Sequence, residues 1–79
     1  MLLFIVEDVF ATSLGLILTP GVGKHPVRVG TPIRLVRPDG TILQTKICGI
    51  VFSERRDISI GKELCKEDVP VGTEVWTEE

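Results

Sequence analysis

Few side chains in this chain of 79 residues have the chemistry that catalysis or metal binding needs. The single histidine, His25, lies in a segment rich in glycine and proline, which predicts a solvated loop imidazole. Cys48 and Cys65 are far apart in the sequence, whereas zinc sites use closely spaced ligand pairs. Glu7 and Asp8 are adjacent, so on a strand their carboxylates point to opposite faces and do not share acid–base work. These observations predict no enzyme activity, no metal and no other cofactor.

Residues 21–24 resemble the end of a nucleotide-binding phosphate loop, because two glycines precede Lys24 there. In that motif another glycine stands five positions before the glycine that precedes the lysine. Here that glycine is Gly23, and the position five residues before it is Leu18. The motif also needs a serine or threonine after the lysine to hold Mg²⁺, and His25 follows instead. The mismatches predict that no nucleotide cofactor is bound.

Four basic residues form a candidate phosphate-contacting surface together with His25: Lys24, Arg28, Arg55 and Arg56. The alternative is an ordinary solvated surface whose charges are balanced by Glu54 and Asp57. The formal net charge of the chain is -2, which argues against a dedicated nucleic-acid-binding protein.

The spacing of apolar residues predicts strands and no helix of normal length. β-Branched residues recur at period two and are interrupted by glycine and proline, as in small β-barrels and sandwiches. Hydrophobic residues make up 43% of the chain, enough for one core, so residues 1–79 are predicted to form a single domain. Six strands are predicted, at residues 2–10, 16–19, 32–37, 41–52, 58–60 and 72–76. Because closure removes exposed strand edges, we expect an all-β fold that is a small closed six-stranded antiparallel barrel.

The connections carry recognisable turn chemistry. Residues 38–40 read Pro-Asp-Gly, and Gly40 accepts the positive φ that a hairpin turn requires. One helical turn is predicted within residues 66–70.

The first strand is apolar on both faces, which indicates that both faces are covered. Strict alternation places Leu2, Phe4 and Val6 on one face and Leu3, Ile5 and Val9 on the other. One of these faces then needs a partner outside the barrel. Trp76 either closes the mouth of the barrel or lies at an interface, where aromatic residues concentrate.

The amino terminus lacks the basic leader of a signal peptide, and no apolar run reaches the ~18–20 residues that span a bilayer. We therefore expect a cytoplasmic protein without membrane contact. In that reducing compartment Cys48 and Cys65 are expected to be buried, unpaired thiols.

Four segments in order resemble the second, β-barrel domain of translational GTPases such as elongation factor Tu, here without the GTPase domain. They are residues 6–10 (VEDVF), 15–19 with 21–22 (GLILT, GV), 27–33 (VRVGTPI), and 66–69 with 72–75 (KEDV, GTEV). The resemblance covers nearly the whole chain and implies the translation-factor type of barrel.

In elongation factor Tu this barrel helps to hold the aminoacylated end of tRNA. The resemblance implies that Glu7, Asp8 and Phe10 occupy the corresponding positions here. Two other positions depart from the family pattern, since Val51 stands where the family has an acid and Asp57 where it has an asparagine.

Two functions follow as hypotheses. The first is a non-catalytic binding module that engages a protein partner or associates with itself through its apolar first strand. The alternative is a translation-related factor that binds RNA, the ribosome or the tRNA end. A groove lined by Glu7, Phe10 and Arg55 would favour RNA, and a flat apolar face would favour a protein partner.

Overall fold

The computed structural model describes residues 1–13, 15–51, 54–61 and 64–78. All strands pair antiparallel, in one four-stranded sheet of order β1-β8-β4-β5 and a second of order β2-β3-β7-β6. The all-β prediction is therefore confirmed. The elements are β1 (Leu2–Ile5), β2 (Asp8–Thr12), β3 (Gly15–Thr19), β4 (Pro32–Val36), β5 (Ile42–Lys46), β6 (Gly49–Ile50), β7 (Ile58–Ile60), a 3-10 turn η1 (Lys66–Asp68) and β8 (Glu74–Thr77).

Two of the six predicted strands are each divided by a corner, which gives eight strands. Between β1 and β2 the chain leaves the first sheet and enters the second. The Val6 N–H donates to the Thr73 carbonyl at 2.8 Å, and the next residue, Glu7, donates its N–H to the Thr19 carbonyl at 2.9 Å.

The second corner lies between β5 and β6. The Ile47 N–H donates to the Thr31 carbonyl at 3.0 Å, and the Cys48 N–H donates to the Ser59 carbonyl at 2.8 Å. The closed ring of six strands stays a prediction, because the strand pairings of the described residues form two sheets of four.

A single aliphatic core lies between the two sheets. Seven of its side chains have no measurable exposure: Leu18, Ile33, Leu35, Ile47, Ile58, Ile60 and Val75. Each such burial stabilises the fold by about 1.5–3 kcal/mol, so the core outweighs any single surface interaction.

A β-bulge changes the faces of the first strand. Leu2 and Phe4 pair with consecutive residues of β8, so Leu3 is an extra residue between them. Leu3 and Phe4 are both buried, at 7% and 8% exposure. The strict alternation predicted for this strand is therefore wrong, and Leu2 and Ile5 face the same way, away from the core.

The turn predicted at residues 38–40 is confirmed. Gly40 has φ +90° and donates its N–H to the Arg37 carbonyl at 2.9 Å. Asp39 caps the turn, because its Oδ1 accepts from the Thr41 N–H at 3.0 Å and from the Thr41 hydroxyl at 2.6 Å. The helical turn predicted within residues 66–70 is confirmed as η1.

The prediction of buried thiols is wrong, since Cys48 and Cys65 are both exposed and unpaired. Cys48 lies at the second corner, where Ile47 takes the core position and the next side chain turns outward. Cys65 precedes η1 on the surface. Val51, which stands where the family that the chain resembles has an acid, is 41% exposed just after β6.

Candidate functional site

The outer face of the first sheet follows from strand register. Ile33, Leu35 and Val75 point into the core with no exposure. Neighbouring positions on a strand point to the opposite side, and directly paired residues share a face. Pairing therefore defines the outer face as Leu2, Ile5, Pro32, Arg34, Val36, Ile42, Gln44, Lys46, Glu74 and Trp76.

Most of these side chains are apolar, although they point away from the core. Leu2, Ile5 and Ile42 are 36%, 49% and 58% exposed, and Val36 is half-buried. The solvated face of an antiparallel sheet normally carries polar residues. Apolar side chains on such a face mark a surface suited to contact with another macromolecule.

Trp76 lies at the centre of this face. It pairs with Leu2 on one side and with Arg34 on the other. Its Nε1–H donates to Oε1 of Glu74 at 2.9 Å, which fixes the half-buried ring across the sheet. Of the two places predicted for Trp76, the structure puts it on the outer face and outside the core.

The face carries two charges on its inner strands, Arg34 and Glu74, and a third, the exposed Lys46, at the end of its edge strand β5. Arg34 is half-buried, and its Nε is shielded from solvent without a hydrogen-bond partner. Among the described residues its side chain makes no ion pair or hydrogen bond. Among the described residues, the only hydrogen bond to the Glu74 side chain comes from the Trp76 indole. The two charges therefore do not neutralise each other within the chain.

The residues predicted from the tRNA-end resemblance lie elsewhere. Glu7 and Asp8 are exposed at the first corner, and Phe10 is 50% exposed in β2 of the second sheet. Asp8 accepts the Val9 N–H at Oδ1, 2.8 Å away. Phe10 pairs with the half-buried Ile17.

The predicted basic residues belong to two loops that are hydrogen-bonded together. The Val22 N–H donates to the Arg56 carbonyl at 3.1 Å, and the Gly23 N–H donates to the Arg55 carbonyl at 2.9 Å. Lys24 and Arg55 are exposed on these loops.

Arg56 ties the loops together through its side chain. Its NH1 donates to the carbonyls of Gly23 and His25 at 3.1 and 3.0 Å, and its NH2 donates to the Val27 carbonyl at 3.0 Å. Its backbone has φ +53°, a left-handed conformation that few residues other than glycine adopt. These contacts give Arg56 a structural role that its charge alone does not predict.

Three cavities of about 580, 710 and 750 Å³ are lined by described residues. The one of about 710 Å³ lies beside Arg28 and is walled by Val27, Val29 and Val51. Glu7, Phe10 and Arg55, which would line an RNA groove, line none of these three.

Within the described ranges no three His, Cys, Asp or Glu side chains are grouped to hold a metal ion. The same part of the chain has no helix with the length and apolar character to cross a bilayer.

Sequence reasoning singled out the apolar first strand and Trp76 as possible contact elements. It missed that β8 lies between β1 and β4, which brings Trp76 beside Arg34. No local pattern signals that pairing.

No family model, curated protein or solved structure matches the chain.

Proposed function

We propose that the chain is a non-catalytic binding module that docks on a protein surface through the outer face of the first sheet. One observation carries the proposal: Leu2, Ile5 and Ile42 are exposed around a central Trp76 on the same face of one sheet. Tryptophan is enriched among the residues that contribute most to protein interfaces. A ring of exposed aliphatic side chains is suited to excluding water around it.

Site-specific cross-linking tests this proposal. A photo-reactive phenylalanine analogue in place of Ile42 should cross-link a protein, either another chain or a second copy of this one. Ile5→Glu should abolish that cross-link, because it introduces a charge into the apolar face.

Phe10→Glu is the matched control, since Phe10 and Ile5 are 50% and 49% exposed but lie on different sheets. Both variants should melt within a few degrees of the parent. Equal cross-linking with all three proteins would refute the proposal.

We also propose that the two sheets close into the six-stranded barrel of the translation-factor type, in a cytoplasmic protein. The hydrogen bonds at the two corners support closure. At the first corner, Val6 is hydrogen-bonded to Thr73 beside the first sheet, and the next residue, Glu7, is hydrogen-bonded to Thr19 of the second sheet. If hydrogen bonding between the strands continues through the corner, the backbone amides of Val6 and Glu7 should both exchange slowly with solvent in a hydrogen-exchange experiment. Fast exchange at both positions would refute closure.

RNA or ribosome binding is a second candidate, favoured by a different observation. Lys24, Arg28 and Arg55 are exposed and lie on the loops that Arg56 ties together. None of the three side chains forms an ion pair among the described residues. Binding through them should weaken steeply between about 50 and 200 mM salt and should fail in Arg55→Glu. Absence of RNA binding at low salt would eliminate this candidate.

A further inference from the structure

We propose that the occupant of the outer face is a second copy of this chain, in a two-fold symmetric dimer that pairs Arg34 of each copy with Glu74 of the other. This inference rests on the proposed function, because it names the partner of the same face.

The charges of the face are self-complementary. A two-fold interface uses the same patch twice, so the patch must match itself. Arg34 and Glu74 are the charged members on its inner strands, Lys46 lies at the end of the edge strand β5, and the remaining positions are apolar apart from Gln44. A patch whose inner strands carry one positive and one negative charge satisfies the requirement. A patch with a single sign of charge would repel its own copy.

Both charged groups have binding capacity that the chain itself does not use. The Arg34 guanidinium has no partner among the described residues, and its Nε is already shielded from water. Its two Nη groups also make no hydrogen bond among the described residues but, unlike Nε, are not buried, so a carboxylate from outside can reach them. Glu74 uses Oε1 for the Trp76 indole, and no described residue contacts its other oxygen.

The positions of the two residues suit a two-fold axis. Arg34 in β4 pairs with Trp76, whereas Glu74 in β8 pairs with Val36, so the charges are diagonal neighbours on adjacent strands. Such neighbours lie roughly 7–8 Å apart. An axis that lies in the interface plane and crosses midway between them places each Arg34 over Glu74 of the second copy. The same axis runs close to Trp76 and Val36, so apolar groups meet apolar groups at the centre.

The size of the face predicts a weak dimer. Four strands about 4.8 Å apart, each with about five residues at 3.3 Å per residue, give the sheet a plane area of roughly 300 Å². The side chains that project from this plane add to the area. Stable complexes bury about 800 Å² per partner. The dissociation constant should therefore lie in the range of about 10–500 µM, where weak and transient complexes occur.

Sedimentation equilibrium of the full chain, from about 10 µM to 1 mM, tests the dimer. Arg34→Glu and Glu74→Arg should each weaken association about tenfold or more, since by symmetry one substitution removes both ion pairs. The double variant Arg34→Glu/Glu74→Arg should restore association to within about threefold of the parent, because it exchanges the charges.

Two controls carry the same changes of charge elsewhere on the exposed surface. Lys66→Glu in η1 matches the charge change of Arg34→Glu, and Glu67→Arg in the same turn matches that of Glu74→Arg. Neither control should change association by more than about twofold.

A parent protein that stays monomeric up to 1 mM refutes the dimer, and so does a double variant that fails to recover. If the parent is monomeric while Ile42 still cross-links a different protein in a manner blocked by Ile5→Glu, the dimer is refuted and the proposed docking function stands. If neither association nor cross-linking occurs, both are refuted.

Discussion

Replacing Arg56 by alanine should destabilise the fold strongly, although the side chain is only half-buried. Its guanidinium donates to the carbonyls of Gly23, His25 and Val27 at 3.0–3.1 Å. These three bonds hold the long connection between β3 and β4 against the loop that precedes β7. No other described side chain donates a hydrogen bond to any of these three carbonyls.

The size of the effect follows from the number of bonds and their partial exposure. A hydrogen bond from a charged donor contributes about 1.5–3 kcal/mol when buried, and water restores part of this at a half-buried site. We therefore expect Arg56→Ala to cost about 2–4 kcal/mol, against a total stability of about 4–12 kcal/mol for a domain of this length. Arg56→Gly loses the same hydrogen bonds, but its free energy of unfolding should be about 1 kcal/mol higher than that of Arg56→Ala. The reason is that φ is +53° at this position, a conformation that costs alanine more than glycine.

Urea denaturation of the parent and three variants measures these differences. Arg55→Ala is the control, since this neighbouring side chain is exposed and should change stability by no more than about 0.5 kcal/mol. The expected order of stability is parent and Arg55→Ala, then Arg56→Gly, then Arg56→Ala. Equal stability of Arg55→Ala and Arg56→Ala would show that the guanidinium does not tie the loops. Arg56→Gly below Arg56→Ala would contradict the left-handed backbone.

Two further predictions concern backbone packing and titration. Gly15→Ala should cost more than about 3 kcal/mol of stability, because a Cβ there overlaps the Ile60 carbonyl. A Cβ at Gly23 meets no atom within 4 Å, so Gly23→Ala should cost only about 1 kcal/mol. Similar losses for the two variants in urea denaturation would contradict the close approach of β3 to β7. Hydrogen bonds from the Thr41 side chain and N–H hold the pKa of the Asp39 carboxyl below its ordinary value. The stabilisation linked to that lowered pKa is present above the unfolded-state pKa and is lost as pH falls through the folded-state pKa. Thr41→Val should therefore raise the Asp39 pKa in an NMR titration, and an unchanged value would refute the assignment.

The secondary-structure class could be predicted from the sequence because local patterns determine it. Ile33 and Leu35 alternate with outward residues, and residues 38–40 have the composition of a hairpin turn. The bulge in β1 could not be predicted, because residues 2–6 are all apolar and any register buries apolar side chains. A run without polar residues carries no information about where alternation is interrupted.

The candidate site was only partly predictable, because it depends on pairing between distant parts of the chain. The sequence indicated an apolar first strand and a Trp76 either at the barrel mouth or at an interface, but not that β8 lies between β1 and β4. Arg56 was grouped with exposed cations by its charge, and only the folded loops show that it binds carbonyls. Long-range contacts of this kind leave no local signature.

If the molecule works by contact through the outer face of the first sheet, Trp76 reports on that contact directly. It is the only tryptophan, so its indole N–H gives a single NMR cross-peak. As the protein is concentrated or a cross-linked partner is added, that peak and the amides of Ile5, Arg34 and Ile42 should shift while the amide of Phe10 stays fixed. Shifts centred on Phe10, with the Trp76 indole unmoved, would show that the outer face of the first sheet is not the contact surface.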